Sequence, residues 1–470
     1  MTSTSLRPRQ REAPAPMQSS AARFALAVST LGFFVITLDA LIVNVALATI
    51  GTQLGGGTAG QQWIVDGYTL MFASLLLFAG TLSDRIGAKR AFTFGLVLFV
   101  VASAACASAP VLWALVLARF VQGAAASLML PPSMALIREA FPDAIQRSKA
   151  IGLWALGGAV AAAAGPALGG LLTTIDWRLV FLINVPVGAA AVAMLLRVPR
   201  SPVRPAVFDH VGQLASLVGV GALIFGLIEG GVTGFGSPLV IASLLGAVLA
   251  IAVFLVAQAR GRNPMMPLDL FRSAGLRIAL SVGFSFMVGW YGMVFVISLF
   301  LQQHLGLSPL FAGLAFLPAS VLIAISNVAA GRLAARRGPR FPAVLGQLLM
   351  VSGLVGMLLA APLGSLMAVT ILLVPIGVGG ALAMPPITAH VLDSVPAHRS
   401  GAASAVFNTF RQLGGAVGVA VFGALLVGPA GFVPGLQASL LIAALLLLAT
   451  TVASVFIQRT NEGEIHHGTN

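Results

Sequence analysis

The sequence has 470 residues, of which 58% are hydrophobic and only 8% are charged, and its mean hydropathy is +1.01. Soluble domains carry about 25% charged residues, so this composition excludes a soluble globular protein and indicates a chain that crosses a membrane many times. The formal net charge of +13 does not indicate nucleic-acid binding, because the cations lie in short segments between apolar runs. The one cysteine, Cys106, excludes an intramolecular disulfide bond.

The apolar runs predict fourteen membrane-spanning helices, and therefore an all-α polytopic membrane protein. Residues 1–22 are polar and predict a disordered cytoplasmic tail, and residues 459–470 predict a second cytoplasmic tail. Short segments at 51–61 and 230–238 are rich in glycine and polar residues, and they predict loops on the outer face. The predicted spans are 24–48, 62–82, 91–109, 111–134, 151–173, 178–196, 212–230, 237–257, 277–301, 311–331, 341–361, 366–390, 402–427 and 436–457.

The basic residues decide the orientation of these helices. Of the 26 lysines and arginines, all but Arg119, Arg178 and Arg411 lie in the tails or in the loops that follow even-numbered helices. Because positively charged loops stay in the cytoplasm, both termini are predicted to be cytoplasmic. The excess of arginine, alanine and glycine is typical of a GC-rich bacterial gene, so we expect the bacterial inner membrane.

A degenerate internal repeat divides the chain. Residues 331–340 repeat the pattern of 80–90 with an offset of 251 positions, and Met384–Pro386 repeats Leu130–Pro132 with an offset of 254. Duplicated helical halves are common in transporters, and two extra helices between the halves account for the offset. The predicted units are six-helix bundles at 23–200 and 263–458 with two inserted helices at 201–262.

The densest cluster of charge between two apolar runs lies from Gly80 to Arg90. It is either a positively charged membrane anchor or a conformational latch between two helices. The order Gly-x-Leu-Ser-Asp-Arg-x-Gly-x-Lys-Arg resembles the signature loop between the second and third helices of the major facilitator superfamily, and this resemblance favours the latch. The predicted gating residues in this loop are Gly80, Asp84, Arg85, Gly87, Lys89 and Arg90.

Two charged side chains lie deep inside predicted helices, Asp39 in the first and Arg119 in the fourth. A charge in the membrane costs about 2.5–3.5 kcal/mol on insertion scales, so it needs a partner or a function. At ~1.5 Å rise per residue, both lie about 12–15 Å below the outer ends of their helices and could meet. Arginine keeps its proton, so Asp39 is the group that could exchange one. A purely structural ion pair is the alternative.

Other polar residues are candidates for proton coupling and for a substrate cavity. Asp66, near the outer end of the second helix, is either an interface residue beside the aromatic anchors Trp63 and Tyr68 or part of the proton path. Arg411 lies about 15 Å from the cytoplasmic end of the thirteenth helix, with no acid at that depth in its own half. The predicted cavity residues are Asn44, Gln122, Asn408, Arg411 and Gln412.

The fifth helix contains Gly165, Pro166, Gly169 and Gly170, which predict small-residue packing and a proline kink. Their order, Gly-Pro-x-x-Gly-Gly, resembles the antiporter signature of exporting facilitators. With the other signatures, which cover almost the whole chain after residue 24, the sequence resembles the fourteen-helix drug:proton antiporter family of that superfamily. The stretch Asp66-Gly67-Tyr68 resembles the methylenomycin A resistance group in particular.

The resemblance implies the major facilitator fold and proton-driven export of a drug or antibiotic by alternating access, in a monomer with no cofactor. The sequence agrees in lacking the Gly-x-x-x-x-Gly-Lys-Ser/Thr phosphate loop. We expect no enzymatic activity and no metal, because the six histidines are scattered without carboxylates at metal-ligand spacing. The expected partners are a small-molecule substrate, protons and the lipid bilayer. A facilitator for a metabolite is the alternative function.

Overall fold

The computed structural model describes residues 20–203, 205–396, 399–428 and 430–457. In these ranges the regular structure is helical, and thirteen helices are long and apolar enough to cross a membrane. A shorter apolar helix completes the set of fourteen, so the all-α polytopic class is confirmed. In chain order the helices are α1 Ser20–Leu54, α2 Gly57–Ile86, α3 Ala88–Ala107, α4 Leu112–Ala140, α5 Ala144–Ile175, α6 Leu179–Leu195, α7 His210–Thr233, α8 Pro238–Arg260, α9 Ala274–His304, α10 Pro309–Arg337, α11 Arg340–Leu363, α12 Leu366–Asp393, α13 Ser400–Val427 and α14 Phe432–Ser454.

Several predicted loops are wrong because the helices continue beyond their apolar cores. The predicted loop at 51–61 shrinks to Gly55 and Gly56, whose φ angles of 78° and 91° favour glycine. The loop at 230–238 shrinks to residues 234–237. Gln302–His304, which the predicted spans leave between the ninth and tenth helices, forms the last, π-helical turn of α9.

The predicted tails lie mostly outside the described residues, which leave out 1–19 and 458–470. The prediction is wrong for residues 20–22, which form the first turn of α1. Apolar runs mark the bilayer core, about 20 residues long, whereas α1 has 35 residues. The additional turns are those that hydropathy alone does not detect.

Proline has different consequences in different helices. α4 is interrupted at Leu128 and Met129, just before Pro131 and Pro132, because proline lacks the N–H that the helix ladder needs. Pro166, by contrast, lies inside α5 without ending it. Neighbouring helices can satisfy the freed backbone groups in a membrane protein, so such prolines are tolerated.

Helix packing follows the internal repeat. α1 packs along α5 as α9 packs along α13, and α2 packs on α4 as α10 packs on α12. The pairs α3–α6 and α11–α14 correspond in the same way. Two six-helix halves, α1–α6 and α9–α14, and an inserted pair, α7–α8, therefore match the predicted fold.

The two halves meet along α2–α13 and α5–α10. We term the side with the arginine-rich loops the basic face and the other side the opposite face. Gln62 Nε2 donates to the carbonyls of Val419 and Ala420 at 3.2 and 2.8 Å, and Gln302 Nε2 donates to the Val45 carbonyl at 2.9 Å. These are the direct hydrogen bonds between the halves in the described part of the chain. All of them lie toward the opposite face.

The inserted pair attaches to both halves. α7 packs on α2 and on α13, whereas α8 packs mainly on α7. Asp209 caps α7 and accepts from Gln258 Nε2 of α8 at 2.6 Å. In the connector to α9, Asp269 forms an exposed ion pair with Arg399. The hydrogen bond that Arg399 donates to Asp269 lowers the pKa of that carboxyl. The connector is thereby tied to the start of α13.

Candidate functional site

A buried polar cluster, which we term the Asp39 cluster, lies inside the first six-helix half. Arg119 Nη1 of α4 donates to Asp39 Oδ2 of α1 at 2.5 Å, and both side chains are fully buried. Arg119 Nε also donates to the Ile64 carbonyl of α2 at 2.9 Å. The two charged residues that the sequence places at similar depth therefore form a direct ion pair.

Three neutral side chains complete the cluster. Gln122 Nε2 and Asn184 Nδ2 each donate to Asp39 Oδ1 at 2.8 Å. Both amides also donate to Ser103 Oγ, at 2.8 and 3.3 Å, and Gln122 Oε1 accepts from Arg119 at 2.7 Å. All of the Asp39 partners are donors, so the cluster fits a carboxylate that only accepts, which is the ionised form.

An aromatic wall covers the arginine of the cluster. The Arg119 guanidinium carbon lies 4.4 Å from the centre of the Tyr68 ring and 5.8 Å from that of Phe181. A cation over an aromatic face is stabilised by the ring quadrupole. The Cys106 thiol, also in this region, donates to Gln122 Oε1 at 3.5 Å.

Two atoms of the cluster have no hydrogen-bond partner among the described residues, Arg119 Nη2 and Asn184 Oδ1. An orphaned buried polar atom is costly unless another arrangement satisfies it. The Asn184 oxygen is an acceptor in a cluster that otherwise offers donors to Asp39. The Asn184 oxygen is therefore an unsatisfied acceptor within the cluster.

Asp66 does not belong to this cluster. Its carboxyl accepts from Thr69 Oγ1 at 3.2 Å, within α2, and its Oδ2 has no partner among the described residues. The side chain is fully buried, and no described cation lies within ion-pair distance. Two membrane carboxyls thus occupy different environments, one saturated with donors and one nearly bare.

The predicted cavity residues are not all in one place. Gln122 belongs to the Asp39 cluster, and Asn44 is buried with its amide donating to the Ala40 and Leu41 carbonyls of its own helix. Asn408, Arg411 and Gln412 are half-buried on α13. They form the polar side of the second half.

Arg411 has no carboxylate partner among the described residues. Its Nη1 donates to Asn408 Oδ1 at 3.4 Å, its guanidinium carbon lies 5.7 Å from the Phe407 ring, and its buried Nε is unpaired. Tyr291 of α9 is its electrostatic neighbour. Arg411 is thus a cation with free hydrogen-bonding capacity, unlike Arg119.

The predicted gating loop is a junction of one residue. Gly87, with φ 90°, separates α2 from α3, so the expectation of a longer loop is wrong. Lys89 Nζ donates to the Val198 carbonyl at 2.5 Å, and its backbone N–H donates to Ser201 Oγ at 3.0 Å. Ser201 in turn donates to Glu139 Oε2 at 2.6 Å. The segment after α6 therefore holds this junction.

The other residues of the gating loop are less engaged. The Arg85 guanidinium lies 4.9 Å from the centre of the Phe208 ring. Asp84 and Arg90 are exposed and make no hydrogen bond or ion pair within the part of the chain that the structure describes. Gly80 faces open space. A latch through Asp84 is not engaged in this arrangement.

The glycines of α5 form two close helix contacts. A Cβ on Gly169 would lie 2.5 Å from the Ile42 carbonyl oxygen of α1, and one on Gly170 would lie 2.6 Å from the Pro309 carbonyl oxygen of α10. Gly165 also faces α1, less tightly. The second contact crosses between the halves at the opposite face.

Sequence reasoning missed Asn184, Ser103 and Ser201 as functional candidates. Each is a neutral polar residue. Burying such a residue costs less than burying a charge, so its sequence signal is weak. Asn184 is the one amide side chain in an apolar helix, and this isolation could have marked it as a functional candidate. Across the described residues, no group of three histidine, cysteine, aspartate or glutamate side chains could hold a metal ion.

The family assignment follows from comparison with known proteins. Residues 29–419 match the model of the Major Facilitator Superfamily. The chain belongs to this superfamily. As a member of it, the protein is 37% identical over 404 residues to the multidrug resistance protein Stp of Mycobacterium tuberculosis, covering 85% of this chain and 75% of the relative. It is 35% identical over 410 residues to the methylenomycin A resistance protein of Bacillus subtilis, covering 85% and 87%.

A solved structure agrees with the superfamily fold. A POT family transporter, solved with a thioalcohol-conjugated peptide, matches with a TM-score of 0.70 over 93% of this chain and 96% of its own. The sequence identity is 16%, so this likeness concerns the fold alone. The resemblance inferred from the signature motifs is confirmed, including that to the methylenomycin A resistance group.

Proposed function

We propose that this superfamily member is a proton-driven exporter of drugs or antibiotics that works by alternating access. The observation that carries the proposal is the buried Asp39–Arg119 pair, which offers one titratable group inside a membrane helix bundle. The names of the relatives, multidrug resistance and methylenomycin A resistance proteins, support export of a toxic small molecule. The proton gradient is the energy source, with no cofactor and no catalytic reaction.

Protonation of Asp39 would disturb its cluster directly. Arg119, Gln122 and Asn184 all donate to the carboxylate, and a protonated carboxyl brings a donor against these donors. The Asn184 amide can rotate and offer its unpaired Oδ1 to the new proton. Loss of the charge also weakens the hold on Arg119. A proton therefore loosens α1 from α4 and α6.

The loosened α1 is positioned to act on the seam between the halves. It packs along α5, whose Gly169 lies against the Ile42 backbone. The next residue, Gly170, lies against α10 of the other half. A shift of α1 would therefore be passed through α5 to the contact between the halves at the opposite face, which suits alternating access.

Substrate recognition is proposed for the polar side of α13. Arg411, Asn408 and Gln412 are half-buried, and Arg411 has free hydrogen-bonding capacity. Asp66 is a second candidate for proton coupling, because its carboxyl is buried with one weak partner. Asn44 is a weaker candidate for the cavity, since its amide is bonded to its own helix.

The proposed location is the bacterial inner membrane, with the basic face and both termini in the cytoplasm. The arginine-rich junctions at Arg85–Arg90 and Arg336–Arg340 lie on this face, as the positive-inside rule requires. A reporter fused after Asn470 should be active only in the cytoplasm, and activity only outside the cell would contradict this topology.

The test of the function is uphill export of ethidium into inverted membrane vesicles under an imposed pH gradient. A susceptibility panel with and without the gene first identifies further transported drugs. Asp39→Asn should abolish uphill export, because its side chain cannot exchange a proton, while ethidium binding persists. Asp176→Asn is the matched control, since Asp176 is exposed and its pairing with Arg178 contributes little.

Two outcomes would contradict the proposal. If Asp39→Asn still exports ethidium uphill, proton coupling lies elsewhere, and Asp66→Asn becomes the next variant. If no compound in the panel is exported and a protonophore changes nothing, the protein is a facilitator for another solute.

A further inference from the structure

A groove on the outside of the second half combines arginines with an apolar floor. It lies at the basic face, between the α10–α11 junction and the end of α14, and has a volume of about 720 Å³. Its rim carries Arg336, Arg337 and Arg340, all exposed. Its walls are Phe341, Val344, Leu345, Leu348, Val455, Phe456 and Ile457.

The arginines have no acidic partner among the described residues. The Arg337 guanidinium carbon lies 4.6 Å from the centre of the Phe341 ring, which orients it at the mouth of the groove. Three unneutralised cations close together repel each other, so an anion between them would be stabilised. Guanidinium groups are well matched to phosphate oxygens.

The apolar walls lead into the membrane. Leu348 is 46% exposed, and the same side of α11 continues with Val355 and Leu359, at 40% and 68%. On the facing side, Val452 near the end of α14 is 58% exposed, and Phe456, just after that helix, is 72% exposed. An acyl chain lying between these stripes would fill the groove, because its methylenes match the aliphatic and aromatic walls.

The equivalent α2–α3 junction in the first half is covered by other residues of the chain, whereas the α10–α11 junction is open. There, Val198 and Ser201 accept hydrogen bonds from Lys89 and Phe208 covers Arg85. Both junctions turn at a glycine with positive φ, Gly87 at 90° and Gly338 at 81°. The segment after α6 therefore covers the glycine turn in the first half. Within the described residues, no segment covers the equivalent turn in the second half.

We propose that this groove binds an anionic phospholipid of the leaflet at the basic face. The phosphate lies among Arg336, Arg337 and Arg340, and an acyl chain runs along Leu345 and Leu348. Basic pockets between membrane helices on the cytoplasmic side suit anionic head groups. Residues 458–464 are polar in sequence and would fit the apolar floor poorly, so the tail is not the proposed occupant. The proposal does not depend on what is transported.

The experiment measures lipid retention by native mass spectrometry on the delipidated full-length protein. The probes are dioleoyl-phosphatidylglycerol and dioleoyl-phosphatidylcholine, which share acyl chains and differ in charge. We expect the wild type to prefer the anionic lipid about tenfold. The triple variant Arg336→Gln, Arg337→Gln and Arg340→Gln should bind both lipids equally. The matched control removes the same charge on the same face, as Arg260→Gln, Arg262→Gln and Arg272→Gln, and should keep the preference.

Further arms distinguish the occupants. Leu348→Trp fills the groove without changing charge and should lower phosphatidylglycerol retention, whereas unchanged retention would exclude the acyl-chain path. Excess inorganic phosphate should displace the lipid only in part. Complete displacement would mean that the groove binds simple anions and not specifically a phospholipid, which would contradict the proposal. Equal retention of both lipids by the wild type overturns the proposal. If only a chain ending after Ile457 shows the preference, the tail occupies the groove and the proposal fails.

Discussion

The two buried carboxyls of the first half are equally inaccessible to solvent but are held differently. Asp39 accepts hydrogen bonds from Arg119, Gln122 and Asn184, whereas Asp66 accepts one from Thr69. A buried charge is tolerated when its partners are present. Removing one member of a buried ion pair leaves the other charge without compensation, which is strongly destabilising. The same substitution should therefore have opposite consequences at the two positions.

Asp39→Asn should destabilise the protein by about 3–5 kcal/mol, because Arg119 loses its counter-charge inside the bundle. Asp66→Asn should be neutral or stabilising, since a neutral amide replaces a carboxyl that has an unpaired buried oxygen. Thermal unfolding of the purified protein can be followed with a thiol-reactive dye, because the one cysteine, Cys106, is buried. A larger loss for Asp66→Asn than for Asp39→Asn would contradict this account.

The Asp39–Arg119 pair was predictable from the sequence, and Gln122 was a candidate, whereas Asn184 and Ser103 were not predicted. A charge in an apolar helix is expensive, so its depth and its need for a partner can be inferred. Asn184 and Ser103 are neutral, so burying them costs less than burying a charge, and their positions depend on the rotation of α6 and α3. Helix rotation is decided by packing against neighbours, which a single sequence does not specify.

At the scale of helices and their junctions, Asp84 stands out because it has no partner in this arrangement. If it acts as a latch, its contact forms in another arrangement of the two halves. Asp84→Asn should then reduce uphill export while leaving thermal stability unchanged. Asp393→Asn, an exposed carboxyl on the same face, is the control. Normal export by Asp84→Asn would reduce the motif to an anchor, and a loss of stability would indicate a structural role in the present arrangement.

The two ends of α5 allow a sharp comparison of glycines. Gly170→Ala would push a Cβ against the Pro309 backbone, whereas Gly152 faces open space. We expect Gly170→Ala to cost about 1–3 kcal/mol by overpacking and to let protons leak through the opposite face. Gly152→Ala should be neutral or add about 0.5–1 kcal/mol, because alanine loses less backbone entropy in a helix.

The measurement for these glycine variants is passive proton flux in proteoliposomes with a pH-sensitive dye inside, together with thermal unfolding. If Gly152→Ala leaks as much as Gly170→Ala, the α5–α10 contact is not the seal. The positions of the helix termini were poorly predicted from the sequence. Hydropathy reports the bilayer core, and the polar end turns of α1 and α2 continue beyond it.

At the scale of the whole molecule, the inserted pair is asymmetric. α7 packs on α2 of one half and on α13 of the other, and Gln213 Nε2 donates to the Ser74 carbonyl of α2 at 2.9 Å. Ile228 is fully buried in a cluster with Leu70, Ala416 and Ala420. The sequence predicted that two helices are inserted, but not that one of them bridges the halves, since this depends on where the insertion folds back.

Ile228→Ala should therefore weaken a contact that any relative motion of the halves must change. Lipid tails are as apolar as isoleucine, so the loss is one of packing rather than of hydrophobic transfer, and we expect about 1–3 kcal/mol. Leu249→Ala on α8 is the matched control, because Leu249 is 67% exposed and loses mostly contacts that lipid can replace. Thermal unfolding and uphill ethidium export of both variants check this. Equal effects of the two substitutions would mean that α7 only accompanies the halves and does not link them.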